Sequence, residues 1–157
     1  MYADRAYKKA QLDTQVNTIS NDYLVEGTIL STTLETLRMP EDMTSLWIKG
    51  PSGIGKTTWA LTYCEKPLLF VRHLDTLRQF RPGFHKTIVF DDMNFSHLPR
   101  PAQIELVDRY HPQQVHVRYA VVDIPAKTPK VFLSNDIIFI YDEAINRRLT
   151  ALSIAIA

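Results

Sequence analysis

A chain of 157 residues with 45% hydrophobic and 22% charged residues has the balance of one globular domain with a small appendage, which excludes a disordered or low-complexity protein. No apolar run approaches the roughly 18–20 residues that span a bilayer. The N-terminal MYADRAYKKAQLDTQ lacks a secretory apolar stretch, and a lone Cys64 excludes an internal disulfide framework, so an intracellular protein is expected. A formal net charge of +1 excludes nucleic-acid binding by overall basicity; such binding needs a few cations focused on one surface.

Up to about Pro40 the chain is polar, and its pattern predicts helices over Asp4–Leu12 and Thr32–Leu37. The second opens on Ser31-Thr32-Thr33-Leu34-Glu35, where a hydroxyl followed by Glu suits capping. Met39-Pro40-Glu41-Asp42 reads as a break. Residues 1–42 are too short and too poor in large apolar side chains to form their own core. They are expected to pack on residues 43–157 or on a neighbouring subunit.

From Ser45 onward, apolar runs alternate with helical patterns, as in βαβ units. The expected order is a strand at Leu46–Ile48, a helix at Thr57–Glu65, a strand at Leu68–Val71 and a short helix at Leu74–Phe80. A strand at Thr87–Phe90 then ends on Asp91-Asp92, and Pro101 opens a helix to about Tyr110. Val115–Ile124 alternates like a hairpin, and Val131–Leu133 is a strand ending at Ser134-Asn135. Asp142 is placed to cap a helix running through Leu149, with a last strand at Leu152–Ile156. Continuous apolar strands imply an α/β fold whose sheet is buried on both faces.

Gly50-Pro51-Ser52-Gly53-Ile54-Gly55-Lys56-Thr57 matches G-x-x-x-x-G-K-[ST], between a predicted strand and a predicted helix. Three of the chain's five glycines fall in this loop, which argues against coincidence. Glycines let successive N–H groups turn towards phosphate oxygens, and the helix start at Thr57-Thr58 adds partial positive charge. Lys56 can reach the terminal phosphates and the Thr57 hydroxyl can bind Mg²⁺, so ATP with Mg²⁺ is the expected ligand. Asp91 is placed to hold the Mg²⁺ through water and Asp92 to orient an attacking water, although the pair also reads as a solvated acidic turn. Asn135 can hydrogen-bond a terminal phosphate or the water; it also suits an ordinary turn. Arg147 and Arg148, about 100° apart on a predicted helix, can send one guanidinium to a neighbouring subunit's nucleotide, or form a solvated basic face.

GPSGIGKT, IVFDDM, LVDRY, KVFLSN and EAINRRL occur in that order. Together they resemble the superfamily 3 helicase domain, and within it the replication-initiator proteins of circular single-stranded-DNA viruses. The resemblance covers about Leu46 to Leu149. It implies a P-loop NTPase with an AAA+-like, parallel five-stranded sheet flanked by helices. It also implies a homo-oligomeric ring, commonly a hexamer, that hydrolyses ATP and moves 3′→5′ on single-stranded DNA in the host nucleus. Lys56 and Thr57 then occupy the Walker A positions, Asp91 and Asp92 Walker B, Asn135 the motif C sensor, and Arg147 or Arg148 the finger. A paired Asp is usual in Walker B of these viral proteins.

The stretch between LVDRY and KVFLSN corresponds to a hairpin that grips DNA in the ring channel. Here it offers His116, Arg118 and Tyr119, with Lys127 and Lys130 following. Arg118 suits phosphate and Tyr119 suits base stacking, though Val115, Val117, Val121 and Val122 also fit a purely structural hairpin. Full-length initiators carry a nicking domain with an H-x-H pair and a Y-x-x-K motif. No H-x-H pair occurs in this chain, and neither Tyr2 (followed by Arg5) nor Tyr7 (followed by Ala10) has Lys three residues on, so the helicase part alone, without nicking activity, is expected. A small-molecule kinase, a binding-only assembly platform and an RNA helicase are the alternatives; no acceptor pocket is identifiable, and no membrane partner is expected.

Overall fold

Strand-forming residues between Ser45 and Ser153 build the centre of the molecule. The computed structural model describes residues 17–25 and 32–155, so the helix expected over Asp4–Leu12 lies outside the described residues. In chain order the elements are β1 (Thr18–Ile19), α1 (Thr32–Thr36), β2 (Ser45–Lys49), α2 (Lys56–Tyr63) and β3 (Leu68–Val71). A 3₁₀ turn (Leu74–Gln79), β4 (Thr87–Asp91), α3 (Arg100–Val107), β5 (Gln113–Val117) and β6 (Ala120–Ile124) follow. The chain continues through β7 (Lys130–Ser134), α4 (Glu143–Asn146) and β8 (Leu149–Ser153). None of the described helices is long and apolar enough to cross a membrane.

Among the described residues the main sheet has six strands in the order β1-β3-β4-β7-β2-β8, and β5 pairs with β6 as a separate hairpin. The five strands from β3 to β8 are parallel, while β1 pairs antiparallel with β3, Thr18 opposite Leu69. The sheet therefore exceeds the five parallel strands expected. Its extra edge comes from the N-terminal segment, which also supplies α1.

Alternation along each strand sends side chains to two cores. On one face, Leu34 of α1 and Trp59 and Ala60 of α2 pack on Leu46, Ile48, Val89, Val131 and Leu133. The Trp59 Nε1–H donates to the Leu37 carbonyl at 3.1 Å, pinning the N-terminal segment to α2. On the other face, α3, the hairpin and α4 cover Leu69, Val71, Ile88, Phe90 and Phe132. Phe90 and Phe132 stack at 4.7 Å, with Phe95 edge-on to both at 5.8 and 5.7 Å. Burial on both faces explains why these strands read as continuous apolar runs.

Three boundaries differ from the sequence-based expectation. Helix α3 stops at Val107 rather than Tyr110, because the Asp108 carboxylate accepts from the N–H groups of Tyr110 (2.9 Å) and His111 (3.1 Å) and turns the chain. Asp142 does cap α4, its Oδ1 accepting from Ala144 N (2.8 Å) and Ile145 N (3.3 Å), but the helix ends at Asn146 instead of Leu149. Leu149 is needed as the first strand residue opposite Ser45, so β8 spans Leu149–Ser153 and not Leu152–Ile156. The segment expected as a helix at Leu74–Phe80 is a 3₁₀ turn.

Candidate functional site

The carboxyl ends of β2, β4 and β7 lie side by side, and a crevice at such strand ends is the usual ligand position in an open parallel sheet. β2 runs directly into the glycine loop, whose first residue hydrogen-bonds to β7 through Gly50 N–H and Ser134 O at 3.0 Å. A Cβ on Gly50 would stand 2.6 Å from Ile54 Cδ1 and 2.9 Å from Ile154 O, so only glycine allows the backbone just after β8 to pass so close. Gly53 and Gly55 sit at φ 86° and 94°, in the left-handed region that other residues avoid. Gly55 then caps α2, which begins at Lys56, one residue earlier than expected.

The loop and strand ends enclose a cavity of about 370 Å³ lined by Ser52, Gly53, Gly55, Lys56, Thr57, Thr58, Asp91, Asp92 and Asn135. The other expected loop residues act through their backbone or packing. Lys56, only 9% exposed, donates from Nζ to Gly50 O, to Pro51 O at 2.9 Å and to Asn135 Oδ1 at 2.9 Å. Asn135 Nδ2 in turn donates to Ser52 Oγ at 3.0 Å. Asn135 is thus a bridge between β7 and the loop, and its amide does more than end a turn. The N–H groups of Gly53 and Gly55 donate to nothing among the described residues.

Asp91 ends β4; Asp92 follows in the left-handed region (φ 54°), its N–H donating to Leu133 O at 2.9 Å. Such a φ is uncommon for a non-glycine residue and fixes how the second carboxylate leaves the strand. Burial pushes the Asp91 carboxyl above its usual range, opposed by the Arg72 guanidinium and reinforced by Asp92. Burial likewise pulls Lys56 down, against the pull of Asp91 and Asp92. Arg72 Nε lies 3.4 Å from Asp91 Oδ2, a contact that sequence reasoning missed. The signal for it is register: Val71 pairs with Phe90 in parallel, so the next residues, Arg72 and Asp91, become neighbours.

No group of three or more His, Cys, Asp or Glu residues among the described residues is arranged to hold a metal. A divalent cation here would rest on the Thr57 hydroxyl, Asp91 and ligand or water oxygens, which suits Mg²⁺ rather than a dedicated protein cage. The free glycine N–H groups, the ammonium and the paired carboxylates fit a triphosphate accompanied by such an ion.

Arg147 and Arg148 are not on a helical face; they form the turn after α4, and neither lines the cavity. Arg148 is held locally, Nη1 donating to Ala144 O at 2.7 Å and Nε lying 3.7 Å from Asp108 Oδ2. Arg147 is exposed, and its side chain has no partner among the described residues.

The hairpin forms as expected, with Arg118-Tyr119 as a two-residue tip and Tyr119 at φ 63°. Arg118 N–H donates to Asp75 Oδ1 at 3.0 Å, which ties the tip to the 3₁₀ turn. The Arg118 guanidinium lies 5.0 Å over the Tyr119 ring and donates to its hydroxyl at 3.2 Å. His116 is exposed on β5. The two lysines do not join this tip. Lys127 lies past the far end of β6, about 16 Å of strand away, its N–H bonded to Arg109 O at 2.6 Å. Lys130 is fully buried, donating to Leu106 O (2.8 Å), Asp108 O (3.0 Å) and Gln113 Oε1 (2.6 Å), so it anchors the hairpin root and cannot touch nucleic acid.

No protein-family model and no curated protein sequence matches the chain.

Proposed function

We propose that this chain is an ATP-hydrolysing P-loop domain of AAA+ type that works as a ring-forming helicase on single-stranded DNA. The observation that carries the proposal is the joining of Lys56, Asn135 and Ser52 in one hydrogen-bonded unit beside Asp91 and Asp92. The strand order supports it, because β7 lies between β2 and β4 and sets an amide between the ammonium and the carboxylates.

In this reading the Gly53 and Gly55 N–H groups, the α2 N-terminus and Lys56 hold the triphosphate. Thr57 and Asp91 hold Mg²⁺, which neutralises charge on the phosphate oxygens. Asp92 orients the attacking water, and Asn135, already bonded to Lys56, reports the terminal phosphate. Of the two arginines, Arg147 is the finger offered to a neighbouring subunit, because Arg148 is held by Ala144 and Asp108. Arg118 and Tyr119 meet the nucleic acid by phosphate pairing and base stacking.

The test is ATP hydrolysis by the full chain over a range of protein concentrations, with and without single-stranded DNA. Hydrolysis per subunit should rise with protein concentration and be stimulated by DNA. A rate strictly proportional to protein and indifferent to DNA would contradict a ring helicase. Equal stimulation by single-stranded RNA would reassign the substrate, and phosphorylation of an added small acceptor would point to a kinase.

A further inference from the structure

Arg72 has no part in the triphosphate site as described, yet its guanidinium rests on the carboxylate that would hold the cation. Its place follows from register: β3 and β4 run parallel with Val71 opposite Phe90, and one step further sets Arg72 beside Asp91. Arg72 Nε lies 3.4 Å from Asp91 Oδ2. The partners differ sharply in environment, the Asp91 side chain being 17% exposed and the Arg72 side chain 67%. The arginine leans along the Phe70 ring, its Cζ 5.2 Å from the centroid, and reaches Asp91 with its Nε.

The other nearby cation, Lys56, gives its bonds to Gly50 O, Pro51 O and Asn135 Oδ1 instead. Among the described residues, Arg72 is therefore the counter-ion in direct contact with Asp91. A half-buried carboxylate with a second carboxylate beside it needs such a partner, since like charges at close range are unfavourable. Because the guanidinium itself is mostly exposed and its Nε stands 3.4 Å from the carboxylate, the pair is nevertheless easily parted, favouring the paired state by about fivefold.

We infer that Arg72 is a stand-in cation, neutralising Asp91 until Mg²⁺ arrives with the triphosphate and displaces it. The inference rests on the reading of Asp91 as the metal-holding carboxylate. A divalent ion held beside Asp91, directly or through its water, would carry two charges, so it would compete for the carboxylate and repel a guanidinium on the same oxygen. The arginine stem can stay on Phe70 while its head turns into solvent. Arg72 is thus a positioning residue that sets how strongly nucleotide binding depends on the divalent ion.

The test uses the full chain and a fluorescent, non-hydrolysable N-methylanthraniloyl ATP analogue, whose affinity is measured in Mg²⁺ and again in EDTA. The quantity read is the ratio of the two dissociation constants. In Arg72→Gln, Mg²⁺-free binding should weaken and Mg²⁺-supported binding hold or tighten, raising the EDTA-to-Mg²⁺ ratio about two- to fivefold with the fold retained. Arg72→Lys, which keeps the charge, should stay near the wild-type ratio. An unchanged ratio in Arg72→Gln would make the pair ordinary surface electrostatics. A lowered ratio would make Arg72 a ligand of the loaded state, and either result overturns the inference. Asp91→Asn separates the two layers: its ratio should collapse towards one. If it does so while Arg72→Gln does nothing, only the stand-in role fails; if Asp91→Asn also leaves the ratio intact, the metal reading itself falls.

Discussion

At the glycine loop, Lys56 is 9% exposed and three oxygens fix its ammonium, whereas at the hairpin tip Tyr119 is 85% exposed and the Arg118 guanidinium bonds, among the described residues, to Tyr119 alone. The first region is preorganised: backbone, amide and ammonium are already set for one kind of ligand, so its geometry argues for what binds. The second offers a stacking ring and a cation on a firm stalk and leaves both free to adjust. That suits a ligand recognised by shape and charge along its backbone, with little demand for a particular base. Lys130 shows that the stalk, unlike its tip, is built as rigidly as the loop.

The sharpest way to break this contrast is Arg147, which is exposed like the tip but is proposed for the chemistry. Arg147→Ala should lower ATP turnover by about 10³-fold or more, measured in steady-state hydrolysis, with the melting temperature unchanged. Arg148→Ala should do the reverse, losing about 1 kcal/mol of stability with its bonds to Ala144 and Asp108. Equal turnover losses in both variants would erase the distinction drawn between them. A smaller effect is expected at the tip. Tyr119→Ala should weaken single-stranded DNA binding by about 1–3 kcal/mol, read by fluorescence anisotropy, and leave DNA-independent hydrolysis intact. Loss of basal hydrolysis in that variant would mean that the tip is not independent of the loop.

A further effect concerns the hairpin root. Burial lowers Lys130 from its ordinary 10.5 to about 7, so between about pH 7 and 10 the unfolded chain binds more protons than the folded one. Folding should therefore strengthen as pH rises from 7 to 9, with Lys130 contributing up to about 1.4 kcal/mol per pH unit, seen as a rising urea midpoint. Lys56, lowered in the same direction, adds to the slope, so Lys130→Met should reduce the slope rather than abolish it. Above about pH 9 the buried Cys64 thiol, pushed up to about 12, works the other way and closes the window. A midpoint that falls between pH 7 and 9 would contradict the downward shift of buried Lys130.

Much of the site was legible because each of its parts ends a strongly apolar strand: Lys49 leads into the glycine loop, Phe90 into Asp91-Asp92, and Ser134 into Asn135. Local pattern predicts strand ends well, and parallel strands gather their ends at one edge. What escaped depends on distant pairing. Arg72 matters through the β3–β4 register, which no local pattern encodes. β1 is two residues long and exists only because β3 offers an edge. Lys127 and Lys130 read alike in sequence, yet burial under α3 and the hairpin makes one a surface cation and the other a structural tie. The end of α4 was misplaced because Ile145 and Leu149 share helical spacing, while Leu149 is claimed by pairing with Ser45.

Triphosphate binding at the glycine loop underlies every other proposed role, and equilibrium titration with the fluorescent ATP analogue in Mg²⁺ tests it most directly. Wild-type protein should saturate in the micromolar to sub-millimolar range, and Lys56→Ala should bind at least about tenfold more weakly with its fold retained. Equal affinity in the two proteins would contradict the assignment of the loop as the triphosphate site.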